Sequence, residues 1–409
     1  MYNTPYQRYF EIDTAEYPVV VIESDDWGAC ELIPSADLQE NYKALMKKYG
    51  KNSESGSSGL ETPDQMRELF AILAKHKGAD GNSAVFTAYT AMGNPDFDAI
   101  KANNFTKYID IPINKGFPAP WQGEGIIDTM LEGMKLGVWQ PEYHAMLHHT
   151  SPRLWLKLLN ENSPDGELAR ELFKMRSYYQ MKHIPEFHGY NIHEQYDMIS
   201  TGFRRFKETF GYAPNAAVTS DAFPETELVW QALGINTIPL KNCRVNTGEV
   251  VVYPTKPWNM QDVYAKIGDC SKIADACYLT RNVFCEASNT AEEVLKTIDA
   301  VLKIHKEPAV ISSHRNNYSL FNTEVRAKRM ARLDEILTEL DRKGVYYLTS
   351  AELSSIYRQG YSERRIGDKI LLRKWFENAA VPAYAADLPK GNHLINASEQ
   401  TEIDNDYQI

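Results

Sequence analysis

The sequence predicts an α/β chain: a single irregular (β/α)7-type barrel with loop insertions over residues 1–360, then a partly flexible C-terminal extension over 361–409. Three observations predict it. Short β-branched or apolar runs alternate with longer segments of helical period, the pattern of parallel β/α units. Several of those segments open on helix-start signals. No composition break divides the 409 residues into clear domains, and one barrel with insertions reaches that length.

In chain order the strand candidates are Val19–Ile22, Ala84–Thr87, Ala216–Thr219, Ala276–Leu279 and Ala309–Ser312. Thr62-Pro63-Asp64-Gln65 reads as a capping box with Pro at the first helical position, and Thr290 with Glu293 reads as another. After the second, Val294, Leu295, Ile298, Val301 and Leu302 share one face that would pack on the sheet. A helix from about Thr323 buries Leu333, Ile336, Leu337 and Leu340, stops at Gly344, and leads into the strand-like Val345–Leu348. Two polar segments interrupt the rhythm. Asn52–Gly59 is a Gly/Ser-rich loop suited to part of a lid, and the chain from about Gly391 reads as a frayed tail.

Composition narrows the function classes. Lys plus Arg total 44 against 55 Asp plus Glu, a net charge of −11 that repels a phosphate backbone, so nucleic acid is not expected as a partner. No run approaches the ~18 consecutive apolar residues of a membrane span. Arg8, Glu11, Asp13 and Glu16 stand where a signal peptide needs an apolar stretch. The expectation is a soluble, cytoplasmic protein without a membrane partner. The five cysteines, Cys30, Cys243, Cys270, Cys277 and Cys285, contain no C-x-x-C pair and read as reduced, buried thiols.

In such a barrel reactive groups gather where strands end. The first strand ends in Glu23-Ser24-Asp25-Asp26-Trp27-Gly28. Two adjacent carboxylates after a buried run are costly unless a cation or hydrogen bonds hold them; a metal would explain them, and so would a pair of acids capping a turn. His144 and His148 lie four apart, which on a helical turn puts both imidazoles on one face, able to grip one divalent ion. His188 and His193 form a rival pair at the poorer spacing of five. His314 follows the strand Ala309–Ser313 directly and would sit at the same barrel face, as a reactive group or as a strand-end polar side chain.

The order and identity of these residues resemble the polysaccharide deacetylases, the carbohydrate esterase family four group of the glycoside hydrolase/deacetylase barrel superfamily. The likeness spans roughly residues 17–355. It looks closer still to uncharacterised bacterial members, through Ile311-Ser312-Ser313-His314-Arg315 and Asn94-Pro95-Asp96-Phe97. The resemblance implies Asp25 as catalytic base, Asp26, His144 and His148 as ligands of one divalent metal ion, and His314 as catalytic acid. The ion would be zinc, with nickel or cobalt as alternatives, and the substrate an acetylated sugar or glycan losing an N- or O-acetyl group.

Two departures stand out. Ala145 occupies the position that in the family carries Ser or Thr, and the arginine that usually orients the catalytic aspartate is missing from Thr219-Ser220-Asp221-Ala222-Phe223-Pro224. Arg281 ends another candidate strand and is the candidate replacement; the alternative is a surface ion pair. Trp27, Asp221, Arg281, Glu286 and Arg315 are expected to bind substrate or support the site, and Trp27, Trp121, Tyr143 and Tyr318 could stack on sugar faces or pack as core. Two rival readings remain. One is a glycoside hydrolase using Asp25 with Asp221 or Glu286, and the other a carbohydrate-binding homologue that lost catalysis.

Overall fold

In the computed structural model the described residues are 6–7, 10–52, 54–148, 150–179, 185–219, 224–240, 252–253, 263–264, 267–271 and 276–397. The strands that frame the site are, in chain order, β1 (Val19–Trp27), β2 (Phe86–Thr90), β3 (Trp139–Tyr143), β4 (Thr237–Leu240), β5 (Cys277–Thr280), β6 (Val283–Phe284), β7 (Ala309–His314) and β8 (Tyr346–Leu348). A central parallel sheet runs in the order β6-β7-β1-β2-β3, with β8 on the first residues of β1. β4 and β5 pair in parallel beside it. Because these strands are parallel, their C-terminal ends share one edge, where Asp25, Asp26, Arg281 and His314 lie.

Side-chain alternation along β1 divides the interior. Val20 and Ile22 join the main core with Phe86, Val283 and Ile311, whereas Val19 and Val21 join Val310, Leu279 and Leu348 on the other face. That second face is apolar at the strand starts, where Leu353, Ile356 and Tyr357 of the helix Ser350–Gln359 pack on it. Further along it turns polar at Glu23 and Asp25.

The helix signals correspond to real helices. Pro63–Lys75 carries the reciprocal Thr62/Gln65 capping box and buries Met66, Leu69, Phe70 and Leu73. Ala291–Ala300 carries the Thr290/Glu293 box and buries Val294 and Ile298. Thr323–Arg342 buries Leu333, Ile336, Leu337 and Leu340, and Gly344 follows it at φ 65°. Cys30, Cys270, Cys277 and Cys285 are buried and form no disulfide; Cys243 lies outside the described residues.

Three expectations change. Ala216–Thr219 forms no full strand, only the parallel bridges Tyr143 to Ala217 and Ala216 to Thr237. The cause is Glu142, whose Oε2 takes the Asn215 and Ala216 N–H groups at 2.8 and 2.9 Å and so diverts them from a ladder. The end of the Asn52–Gly59 segment is tied down: Gly59 N–H donates to Ser319 O at 3.2 Å, and a Cβ at Gly59 would meet the Phe321 ring at 2.6 Å. The segment from Gly391 is not frayed where it is described: Gly391–Asn396 pairs with Lys369–Lys374, and that strand with Tyr361–Ile366, in an antiparallel sheet, while residues 398–409 lie outside the described residues. Buried Arg373 fixes this sheet by ion pairs to Glu352 and Asp80.

Among the described residues no helix is long and apolar enough to cross a membrane.

Candidate active site

Asp26 owes its position to a break in β1. The register with β2 shifts between Ser24 and Trp27, and Asp26 takes φ 74°, a left-handed conformation rare outside glycine. The turn that follows is pinned. Gly28 N–H donates to Glu61 Oε1 at 2.8 Å, while Asn94 donates to Gly28 O and accepts from Cys30 N–H.

His144 and His148 face Asp26 from the loop after β3, each Nε2 3.2 Å from Asp26 Oδ1. The expected helical turn is absent. Residues 144 to 148 form a loop with Ala145 at φ 75°, whose Met146 and Leu147 N–H groups are taken by buried Glu186 Oε1 at 2.8 and 2.7 Å. A carboxylate therefore does the job that helical hydrogen bonds would do. A small hydrophobic residue at 145 suits its burial, where the hydroxyl of Ser or Thr would need a partner.

The three ligand atoms of Asp26, His144 and His148 lie within 4.8 Å of one another, the single such group of metal-ligating side chains among the described residues. Asp26 Oδ1 and His144 Nε2 are buried with no hydrogen-bond partner. Orphaned polar atoms cost roughly 1–3 kcal/mol each unless something satisfies them, and two imidazoles with a carboxylate is a donor set suited to a zinc-like ion. The residues fit the ion that the spacing suggests. Burial would raise the Asp26 carboxyl, yet His148 and His144 hold it well below the usual range. His188 and His193 join no such group: the His188 carbonyl accepts from Ser151, and His193 N–H is capped by Asn191.

Asp25 sits beside this triad, buried, in register with His314 across β1 and β7. Arg281 grips it with Nη1 to Oδ2 and Nη2 to Oδ1, both 2.7 Å, and sends Nε to Glu23 Oε2 at 2.5 Å. Burial alone would raise the Asp25 carboxyl; the Arg281 charge and hydrogen bonds overcome it and hold the group well below the usual carboxylate range. Glu23 is fixed in turn by Ser350 Oγ and Tyr89 Oη, at 2.6 and 3.2 Å. Arg281 is 2% exposed, so it is no surface ion pair.

His314 points Nε2 toward Asp25 Oδ2 at 3.9 Å and binds Glu286 Oε1 through Nδ1 at 2.6 Å. Glu286 also accepts from Asn317 at 2.9 Å. Burial would lower the imidazole pKa, but Glu286, Asp26 and Asp25 push it up to about 9. Its side chain is 36% exposed, the most open of the group.

The supporting candidates divide. Arg315 is buried and pairs with Glu31 and Glu61, each at 3.5 Å, so it lies beneath the site and faces no solvent. Trp27 is buried, edge-on to Trp139 at 4.5 Å, with its Nε1–H on Ser24 Oγ. Tyr143 and Tyr318 are buried as well, and Trp121, also buried, lines a cavity with Phe117 and Gln122. Asp221 lies outside the described residues. Sequence reasoning missed Glu31 and Glu186; a carboxylate flanked by no motif carries no spacing signal. Glu31 binds His148 Nδ1 at 2.6 Å.

The fold and site define a parallel α/β scaffold with a candidate metal triad and a neighbouring Asp25–His314 pair at its strand ends. No family model and no curated protein matches the chain. Among solved structures it is similar to polysaccharide deacetylases. A probable polysaccharide deacetylase from Pseudomonas aeruginosa aligns at 9% identity over 82% of this chain and 89% of that one, with a TM-score of 0.38. Peptidoglycan deacetylase PdaC from Bacillus subtilis aligns at 11% identity over 84% and 93%, with a TM-score of 0.34. The 4-alpha-glucanotransferase of Thermococcus litoralis aligns at 8% identity over 82% and 40%, with a TM-score of 0.43.

Proposed function

We propose that the chain is a metal-dependent hydrolase that removes an N- or O-acetyl group from a sugar or glycan, its strands closing into an irregular barrel of seven β/α units. The observation that carries this reading is the orphaned Asp26–His144–His148 triad beside an Arg-bound Asp25 and a Glu-bound His314. Asp26, His144 and His148 would hold one divalent ion, zinc or else nickel or cobalt. When bound, such an ion supplies Lewis acidity, which lowers the pKa of water toward ~7 and polarises an acyl oxygen.

The chain's own residues supply the proton transfers. Arg281 occupies one lone pair on each Asp25 oxygen, leaving capacity to accept a proton from the attacking water. Its grip keeps Asp25 ionised and aimed, at a cost in basicity. His314, with its pKa raised to about 9, is cationic at neutral pH and gives its Nε2 proton to the departing amine or alcohol. Water adds to the acyl carbon, the C–N or C–O bond breaks, and acetate and the free amine or hydroxyl result.

Glycosidic cleavage asks for two carboxyl groups facing each other across a sugar. Glu286, the described partner carboxylate, is engaged by His314 and Asn317, which favours the acyl reading. Incubation with acetylated oligosaccharides and sugar nucleotides, read by mass spectrometry, tests it. The expected result is loss of acetyl groups without chain shortening, stopped by a chelator. New reducing ends with acetyl groups intact would establish the glycosidase instead, and tight glycan binding without product the non-catalytic homologue.

A further inference from the structure

The two imidazoles that face Asp26 are not equivalent. His144 has no hydrogen-bond partner on Nδ1, whereas His148 Nδ1 lies 2.6 Å from Glu31 Oε2. An imidazole that donates its Nδ1 proton to a carboxylate has its tautomer and ring plane fixed, and its Nε2 lone pair points outward. Here His148 Nε2 lies 3.2 Å from Asp26 Oδ1.

Glu31 is itself held at both ends. Its carbonyl accepts from Ser177 Oγ at 2.9 Å and from the Tyr178 and Tyr179 N–H groups at 3.1 and 3.0 Å. Its other carboxylate oxygen, Oε1, lies 3.5 Å from Arg315 Nη2. Arg315 also hydrogen-bonds Gly59 O and lies 3.5 Å from Glu61, whose Oε1 holds the Gly28 N–H two residues after Asp26. A closed path of buried side chains thus runs from His148 through Glu31, Arg315 and Glu61 back to the Asp26 turn. A carboxylate present only to balance Arg315 would need no oxygen on the imidazole.

We propose that Glu31 is a positioning residue of the metal centre, orienting His148 through Nδ1, and that Arg315 serves to hold Glu31 and Glu61 in place and does not contact substrate. The proposal rests on the metal-binding part of the functional reading and is independent of which bond is cut. Partners of this kind are worth about 10- to 100-fold in metal affinity.

The test is titration of metal-free protein with Co2+, following visible absorption and calorimetry, so that no turnover is needed. Glu31→Gln keeps the volume and a neutral acceptor and should weaken Co2+ about 10-fold; Glu31→Ala should weaken it about 100-fold. Glu31→Gln/Arg315→Gln removes the charges as a pair and serves where the alanine variant fails to fold. In a His148→Ala background, Glu31→Gln should have no further effect, which a general loss of packing would not produce. Wild-type affinity and spectrum in Glu31→Gln and in the double variant would overturn the positioning role. Wild-type protein that takes up no Co2+, Zn2+ or Ni2+ would instead overturn the metal reading itself, and the two failures are separable because the second appears before any substitution.

Discussion

Arg281 reaches Asp25 across 256 positions of sequence and binds it with two parallel contacts of 2.7 Å, while its Nε is spent on Glu23. One guanidinium thereby balances two buried carboxylates at the end of β1. Lysine cannot reproduce that fork.

Arg281→Lys is expected to keep the fold and the metal and to lower kcat by about 10²-fold, the loss typical of a misplaced reacting group. Arg281→Met leaves Glu23 and Asp25 buried without a counter-charge and should cost about 3–5 kcal/mol in denaturant unfolding. Wild-type turnover in the lysine variant would reduce Arg281 to a structural residue.

Asp25 and Asp26 are adjacent in sequence but should fail differently. Asp26→Ala or His144→Ala removes a ligand, so elemental analysis after dialysis against Zn2+ should find little metal. Asp25→Asn should retain the metal and lose most turnover. Equal metal loss in both aspartate variants would make Asp25 a ligand, and metal retained in His144→Ala but lost in His188→Ala would promote the rival histidines.

The pH dependence follows from His314. Its folded pKa, about 9, exceeds the ordinary 6.5, so its contribution to stability is fully present below about 6.5 and is lost as pH rises through about 9. Activity that needs the cationic form should fall over the same alkaline range. Glu286→Gln removes the hydrogen-bonded charge and should move that limb to lower pH. A pH–rate profile on both proteins decides it; coincident alkaline limbs would exclude Glu286 as the source of the shift.

Trp27 tests whether the aromatics near the motifs are core or contact residues. Its burial against Trp139 and Tyr318 predicts that Trp27→Ala costs about 3–5 kcal/mol of stability. Trp27→Phe should leave the KM for an acetylated oligosaccharide unchanged. A raised KM with unchanged stability would restore a role in sugar contact.

Legible in the sequence were the alternation of strands and helices, the capping boxes at Thr62 and Thr290, the long helix ending before Gly344, and the order of Asp25-Asp26, His144/His148 and His314. Those signals are local: periodicity, cap chemistry and residue type at a strand end are written within a few neighbouring positions. Tertiary structure alone decided that residues 144 to 148 form a loop clamped by Glu186, that Glu142 replaces a strand ladder at Ala216, and that Gly391–Asn396 completes a sheet. It also decided that Arg281 binds Asp25 and that Arg315 lies beneath the site. The reason is physical. A buried charge must meet its partner, but the partner can come from any strand that ends at the same edge of a parallel sheet, and sequence separation does not limit that meeting.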